Sequence, residues 1–140
     1  MPPSRGLFAG AVRAHDSAVA GNGQPAFFGG NLMIYELRIY RTLPGRLPNL
    51  LARFRNHTIR IWERHGIRQA GFWTTVVGES ANDLTYLLAW ESMAEREQKW
   101  AAFAADPEWA KVRAESEKDG PINANVMNAF LAPTDFSSVK

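Results

Sequence analysis

The sequence predicts an α+β domain of ferredoxin-like type, with element order β-α-β-β-α-β giving a four-stranded antiparallel sheet with its helices on one face. Three observations carry that prediction. Ile34-Tyr-Glu-Leu-Arg-Ile-Tyr40 alternates and is rich in β-formers. Apolar residues then recur at helical spacing after Pro44-Gly45. Two further strand-like runs are followed by a capping box, Ser92-Met-Ala-Glu95. A chain of 140 residues with 46% hydrophobic content has room for one such domain and enough apolar side chains to build its core.

In the first strand Tyr35, Leu37 and Ile39 share one face, and Glu36, Arg38 and Tyr40 share the other. The second set is too polar for a dry core, so it is assigned to the face that the helices leave open. Leu47, Leu50, Leu51, Phe54, Thr58 and Ile61 mark a helix from about Arg46 to His65. Pro48 is tolerated in its first turn and Gly66 supplies the stop. Gly71 to Gly78 and Asp83 to Trp90 read as an antiparallel hairpin across a turn containing Ser80 and Asn82. Ser92 caps the second helix, whose expected buried stripe is Met93, Trp100, Phe103 and Ala104. Asp106-Pro107-Glu108 opens a further short helix, and Ile122 to Leu131, entered through Gly120-Pro121, is the fourth strand.

Residues 1–32, rich in glycine and alanine and without sustained periodicity, are expected to lie outside the fold as a flexible leader. Met33 directly before the first strand fits an extension or an upstream start, and a basic, acid-poor opening weakly resembles an organellar transit peptide. The expected domain is 33–132, with 133–140 as a tail, and a cytoplasmic location is expected unless the leader is a mitochondrial address. The absence of cysteine excludes disulfides, thiolate metal sites and cysteine nucleophiles. No stretch approaches the roughly 20 apolar residues of a membrane helix, so no membrane partner is expected. A net charge of +2 gives no reason to expect a nucleic-acid partner. Charge is nonetheless uneven: between Arg41 and Arg68 seven arginines face only Glu63, whereas acids predominate between Glu79 and Asp119. A basic helix and an acidic helix can thus lie side by side.

Tyr35-Glu-Leu-Arg38 with Tyr40, Pro44-Gly45, His65-Gly66, Gly71-Phe-Trp73, Trp90 with Glu95-Arg96-Glu97, and Asp106-Pro107-Glu-Trp109 together resemble the NIPSNAP family. The resemblance spans about Met33 to Leu131. It implies a dimeric α+β barrel, in which two ferredoxin-like protomers meet sheet to sheet around a cavity, and it implies no settled biochemical activity. Residue patterning independently favours a homodimer, because a sheet with helices on one face must cover the other.

The open-face assignment makes Glu36, Arg38, Tyr40, Asn123, Asn125 and Met127 candidate ligand-binding residues, with Trp73 and Tyr86 added from the hairpin. Aromatic walls with a few convergent polar groups suit a small molecule, and they suit a dimer interface equally well. Trp90, Arg96, Trp100 and Trp109 read as structural, with Arg96 pairing a carboxylate or stacking on a ring, or else receiving an anion. No metal is expected: His15 lies in the leader, and His57 and His65 stand roughly 12 Å apart along one helix. His65 in the last helical turn suits the helix dipole. No cofactor is expected either.

Three functions fit these residues: a binder of a small, partly aromatic or apolar molecule held in the cavity of the homodimeric barrel, a cofactor-free oxygenase or isomerase, and a non-catalytic protein-interaction module. For the second, His57, Arg38, Asn123 and Asn125 are the candidates to move a proton or hold an anion. A fourth, RNA binding, lacks the basic aromatic motif that such sheets carry.

Overall fold

A computed structural model describes residues 33–140; the expectations for residues 1–32, His15 included, lie outside the described residues. The elements are β1 (Ile34–Thr42), α1 (Leu47–Arg53), a π-helical turn (Phe54–Thr58), α2 (Ile59–Arg64), β2 (Arg68–Thr74), β3 (Asp83–Trp90), α3 (Met93–Ala104), α4 (Pro107–Ser116) and β4 (Asn123–Leu131). The sheet runs β2-β3-β1-β4 with every neighbouring pair antiparallel. This is the ferredoxin-like arrangement the sequence predicts, with helices on one face.

The expected first helix forms as α1, one π turn and α2 in continuous succession. Ile59 N–H reaches back five residues to the Phe54 carbonyl, and the Thr58 hydroxyl donates to the Arg53 carbonyl at 3.3 Å. The wider turn keeps Leu50, Arg53, Phe54, Thr58, Ile61 and Trp62 buried together against the sheet. Gly66, at φ 69°, ends the helix in a backbone conformation that glycine adopts without strain.

β2 begins three residues earlier than expected and stops at Thr74. Val76 and Val77, strong β-formers, are 95% and 94% exposed in the hairpin loop. Pairing decides this, because Thr74 already meets Leu84 at the start of β3. β3 occupies the expected span.

The two faces of the sheet are reversed relative to the sequence reading. Glu36 stands beside Leu88, Arg38 beside Tyr86 and Tyr40 beside Leu84, and this row, with Ile34 and Trp90, lies under the helices. The open face instead carries Tyr35, Leu37 and Ile39, flanked by Leu87 and Trp73 on one side and Met127 and Leu131 on the other. β1 has apolar residues on both faces, so its alternation separates the faces without assigning them. The fully apolar row Leu84, Tyr86, Leu88 and Trp90 on β3 decides, and β1's charged residues are buried because they find partners there.

Trp62, left out of the predicted helical stripe, is 2% exposed and packs on Phe54, Phe72, Tyr86, Trp100 and Phe103. In α3 only Trp100 and Phe103 serve the core; Met93 and Ala104 are exposed, correcting the predicted stripe. Ser92 Oγ accepts from Glu95 N–H at 3.0 Å, as the capping box requires. Glu95 itself accepts from Glu91 N–H, one residue before the cap. Asp106 caps α4 by accepting from Glu108 N–H at 2.8 Å. Charge pairing also appears between helices: Arg60 and Arg64 of α2 bind Glu108, and Arg64 binds Asp106. No helix among the described residues is long and apolar enough to cross a membrane.

Candidate functional site

Glu36 is fully buried on β1 and held from two sides. Arg96 of α3 donates Nε to its Oε1 at 3.1 Å and Nη2 to its Oε2 at 3.3 Å, while Arg38 Nη1 lies 3.5 Å away. Arg38 Nε donates to the Tyr86 hydroxyl at 2.9 Å and Nη2 to the Tyr40 hydroxyl at 3.2 Å. Both guanidiniums also stand over the Trp100 ring, at 4.5 Å for Arg38 and 5.2 Å for Arg96. Burial opposes the Arg38 charge, yet Tyr86, Tyr40 and Glu36 outweigh it and hold the guanidinium above its ordinary pKa. Burial drives the Tyr86 hydroxyl well above the usual tyrosine value. At neutral pH Arg38 is therefore a fixed cation beside a neutral Tyr86 phenol.

Tyr40 carries this network to the wall of a cleft of about 610 Å³ between α3, α4 and the end of β4. Trp100, Phe103 and Trp109 give the cleft aromatic walls, and Arg53, Arg113, Glu117 and Asn123 give it polar groups. Phe103 and Trp109 pack at a 35° tilt with centroids 4.8 Å apart. Arg53 reaches the cleft from the end of α1, where the π turn begins, with its guanidinium 5.3 Å from the Trp109 ring centre. π turns recur at functional positions.

The predicted site residues divide between two faces. Glu36, Arg38, Tyr40 and Tyr86 come together as one network on the helix side, and Asn123 joins Tyr40 at the cleft, whose edge Asn125 also reaches although it pairs with Arg41 in the open-face row. Trp73 and Met127 lie on the opposite face of the sheet. His57 is exposed in a groove between the first helix and α4, beside Lys111 and Glu115 and apart from the other candidates. His65 is tied to a side chain rather than to the helix dipole alone: its Nε2 lies 2.6 Å from Asp106 Oδ2. That contact first, and Arg64 second, hold the Asp106 carboxyl well below the ordinary carboxylate range.

Trp90 is buried in the core, and Arg96 serves as the clamp on Glu36. Trp100 and Trp109 are both core-packing and cleft-lining. Arg53 was missed, although its position three residues after Leu50 and one before Phe54 places it within the apolar stripe. Among the described residues no group of three or more histidines, aspartates or glutamates is arranged to hold a metal ion.

The sequence model of the NIPSNAP family matches residues 35–138. No curated protein matches the chain significantly. Among solved structures, an uncharacterised NIPSNAP-like domain protein from Burkholderia xenovorans is 28% identical over 75% of this chain and 88% of its own, with a TM-score of 0.68. A NIPSNAP family protein of unknown function from Agrobacterium tumefaciens is 26% identical over 78% of this chain and 95% of its own, with a TM-score of 0.69. A second from the same organism is 25% identical over 77% of this chain and 99% of its own, also at 0.69.

Proposed function

The chain belongs to the NIPSNAP family, and we propose that it is a homodimer in which each protomer binds a small apolar or partly aromatic molecule in the cleft between its helices and its sheet. The observation that carries this reading is the cleft itself: about 610 Å³ walled by Tyr40, Trp100, Phe103 and Trp109 on one hand and by Arg53, Arg113, Glu117 and Asn123 on the other, so that its lining is as polar as it is apolar. That volume and that mixture of walls are what small-molecule sites present. The opposite face, with Tyr35, Leu37, Ile39, Leu87 and a half-exposed Trp73, supports sheet-to-sheet pairing of two copies into an α+β barrel.

Binding is favoured over proton-transfer chemistry by the carboxylates near the cleft. Glu36 is engaged by Arg96 and Arg38, and Glu117 by Arg113 and Arg53, which disfavours either as a general base. His57, the other candidate base, stands in the separate groove. The test is calorimetric titration of the intact protein with a panel of naphthalene derivatives, comparing wild type with Trp109→Ala and with the loop control Val76→Ser. Binding that survives in the control and is lost in folded Trp109→Ala is the expected result; equal binding by both variants would remove the cleft as the site.

A further inference from the structure

Arg53 is 5% exposed, yet its compensation is incomplete. Its Nη1 donates to Ser116 Oγ at 3.3 Å, and its nearest carboxylate, on the quarter-exposed Glu117, stands 3.8 Å away. Its Nε is buried with no hydrogen-bond partner among the described residues. Burial pulls its pKa below the ordinary arginine value even though Glu117 pushes the other way. Arg38, by contrast, has its guanidinium shared among two hydroxyls, a carboxylate and an indole face.

Asn123, a residue lining the same cleft, also carries a buried side-chain oxygen, Oδ1, that lacks a partner among the described residues. Leaving such groups unpaired is costly, so both are poised to bond an incoming molecule. The Asn123 amide can turn to offer either an acceptor or a donor, whereas Arg53 can only donate. The helix side also carries an excess of positive charge: Arg38, Arg53 and Arg96 stand against Glu36 and Glu117. Around these groups the cleft is aromatic, with Trp109 stacked beneath Arg53 and Phe103 against Trp109.

We propose that the cleft selects aromatic anions, a carboxylate or phenolate on a flat apolar ring system, with the anionic oxygen received by Arg53 Nε–H and an adjacent polar group by the Asn123 amide. The proposal rests on the binding reading above and adds the charge of the ligand and the residue that reads it. A charge-assisted bond beside aromatic walls favours the anion over a neutral isostere by roughly tenfold.

The experiment is calorimetric titration of the full-length protein with 2-naphthoate and with 2-naphthamide, which has nearly the same shape and no charge. Wild type should bind naphthoate roughly tenfold more tightly. Arg53→Met should bring the two close to parity, with the larger loss falling on naphthoate. Asn123→Asp, which sets a carboxylate at the cleft, should weaken naphthoate alone and provides the charge test if Arg53→Met does not fold. Equal affinities in wild type overturn the anion assignment while the cleft stands. A naphthoate preference unchanged in folded Arg53→Met, or in Asn123→Asp, overturns the assignment to these groups. Failure of both probes to bind removes the cleft reading and this proposal together.

Discussion

Replacing Glu36 with glutamine removes the one carboxylate among the described residues that holds Arg38 and Arg96 together beneath the helices. Wild-type Glu36 is fully buried, and three of its contacts are charge-assisted bonds to Arg96 between 3.1 and 3.4 Å. Breaking a buried ion pair by removing one partner costs about 3–5 kcal/mol, because the surviving charge stays desolvated. Here two guanidiniums survive. Arg38 keeps Tyr86, Tyr40 and Trp100, and Arg96, with a side chain 21% exposed, can recover some hydration. The expected loss therefore lies near the lower bound, about 3 kcal/mol, or a fall in Tm of about 10 °C for a domain of this size. Urea unfolding followed by tryptophan fluorescence at one fixed protein concentration measures it. A loss below about 1 kcal/mol, the range of a solvent-exposed pair, would refute the claim that Glu36 neutralises a buried network. Replacing Glu36, Arg38 and Arg96 together by leucine and methionine should recover much of the loss, since buried ionic clusters commonly give way to apolar residues of similar volume without penalty.

Gly71→Ala should displace Trp73, because a Cβ at that position would lie 2.5 Å from the indole and the backbone there has φ 146°; the near-UV circular dichroism should change, and an unaltered spectrum would show that the indole does not rest on Gly71. Leu37→Asp places a charge in the middle of the open face and should yield monomers by light scattering, whereas a persisting dimer would move the interface elsewhere. For Asp106 the folded pKa is depressed, so its contribution to stability is present in full above the unfolded value of about 3.9 and is lost as pH falls through that value toward the folded one. Asp106→Asn keeps a good helix cap and removes the charge, so its stability should fall less steeply than wild type below about pH 4; parallel acid limbs in urea unfolding would discount the His65 and Arg64 contacts.

Elements whose boundaries are set by local chemistry were legible in the sequence. Ser92 and Asp106 begin helices because their oxygens accept backbone N–H groups, and those signals lie within four residues. β3 was legible because every second residue is apolar and the run is closed by turn residues. What local chemistry does not encode is which face of a strand with mixed residues meets the helices. Glu36, Arg38 and Tyr40 read as solvent-facing until their partners are known, and those partners, Arg96, Tyr86 and Trp100, come from other elements. Arg53 was hidden for the same reason. An arginine inside an apolar stripe looks like a side chain bound for solvent, and the groups that receive it, Trp109, Ser116 and Glu117, come from another part of the chain.

The reversed faces separate two roles that the sequence had merged into one list. Polar groups on β1 and β3 serve the interior of the protomer, where Arg38 and Glu36 position Trp100 and Tyr40 at the cleft wall. Apolar groups of the same strands face outward, where a second copy would cover them. Because neighbouring residues on one strand point to opposite faces, a substitution such as Leu37→Asp can disrupt pairing while leaving Arg38 bonded to Tyr86, and Trp109→Ala can open the cleft without touching the outer face. Assembly and binding should then vary independently. If monomeric Leu37→Asp, shown to be folded, loses affinity for an aromatic ligand in proportion to its loss of dimer, the ligand depends on the barrel between protomers and not on the cleft within each one.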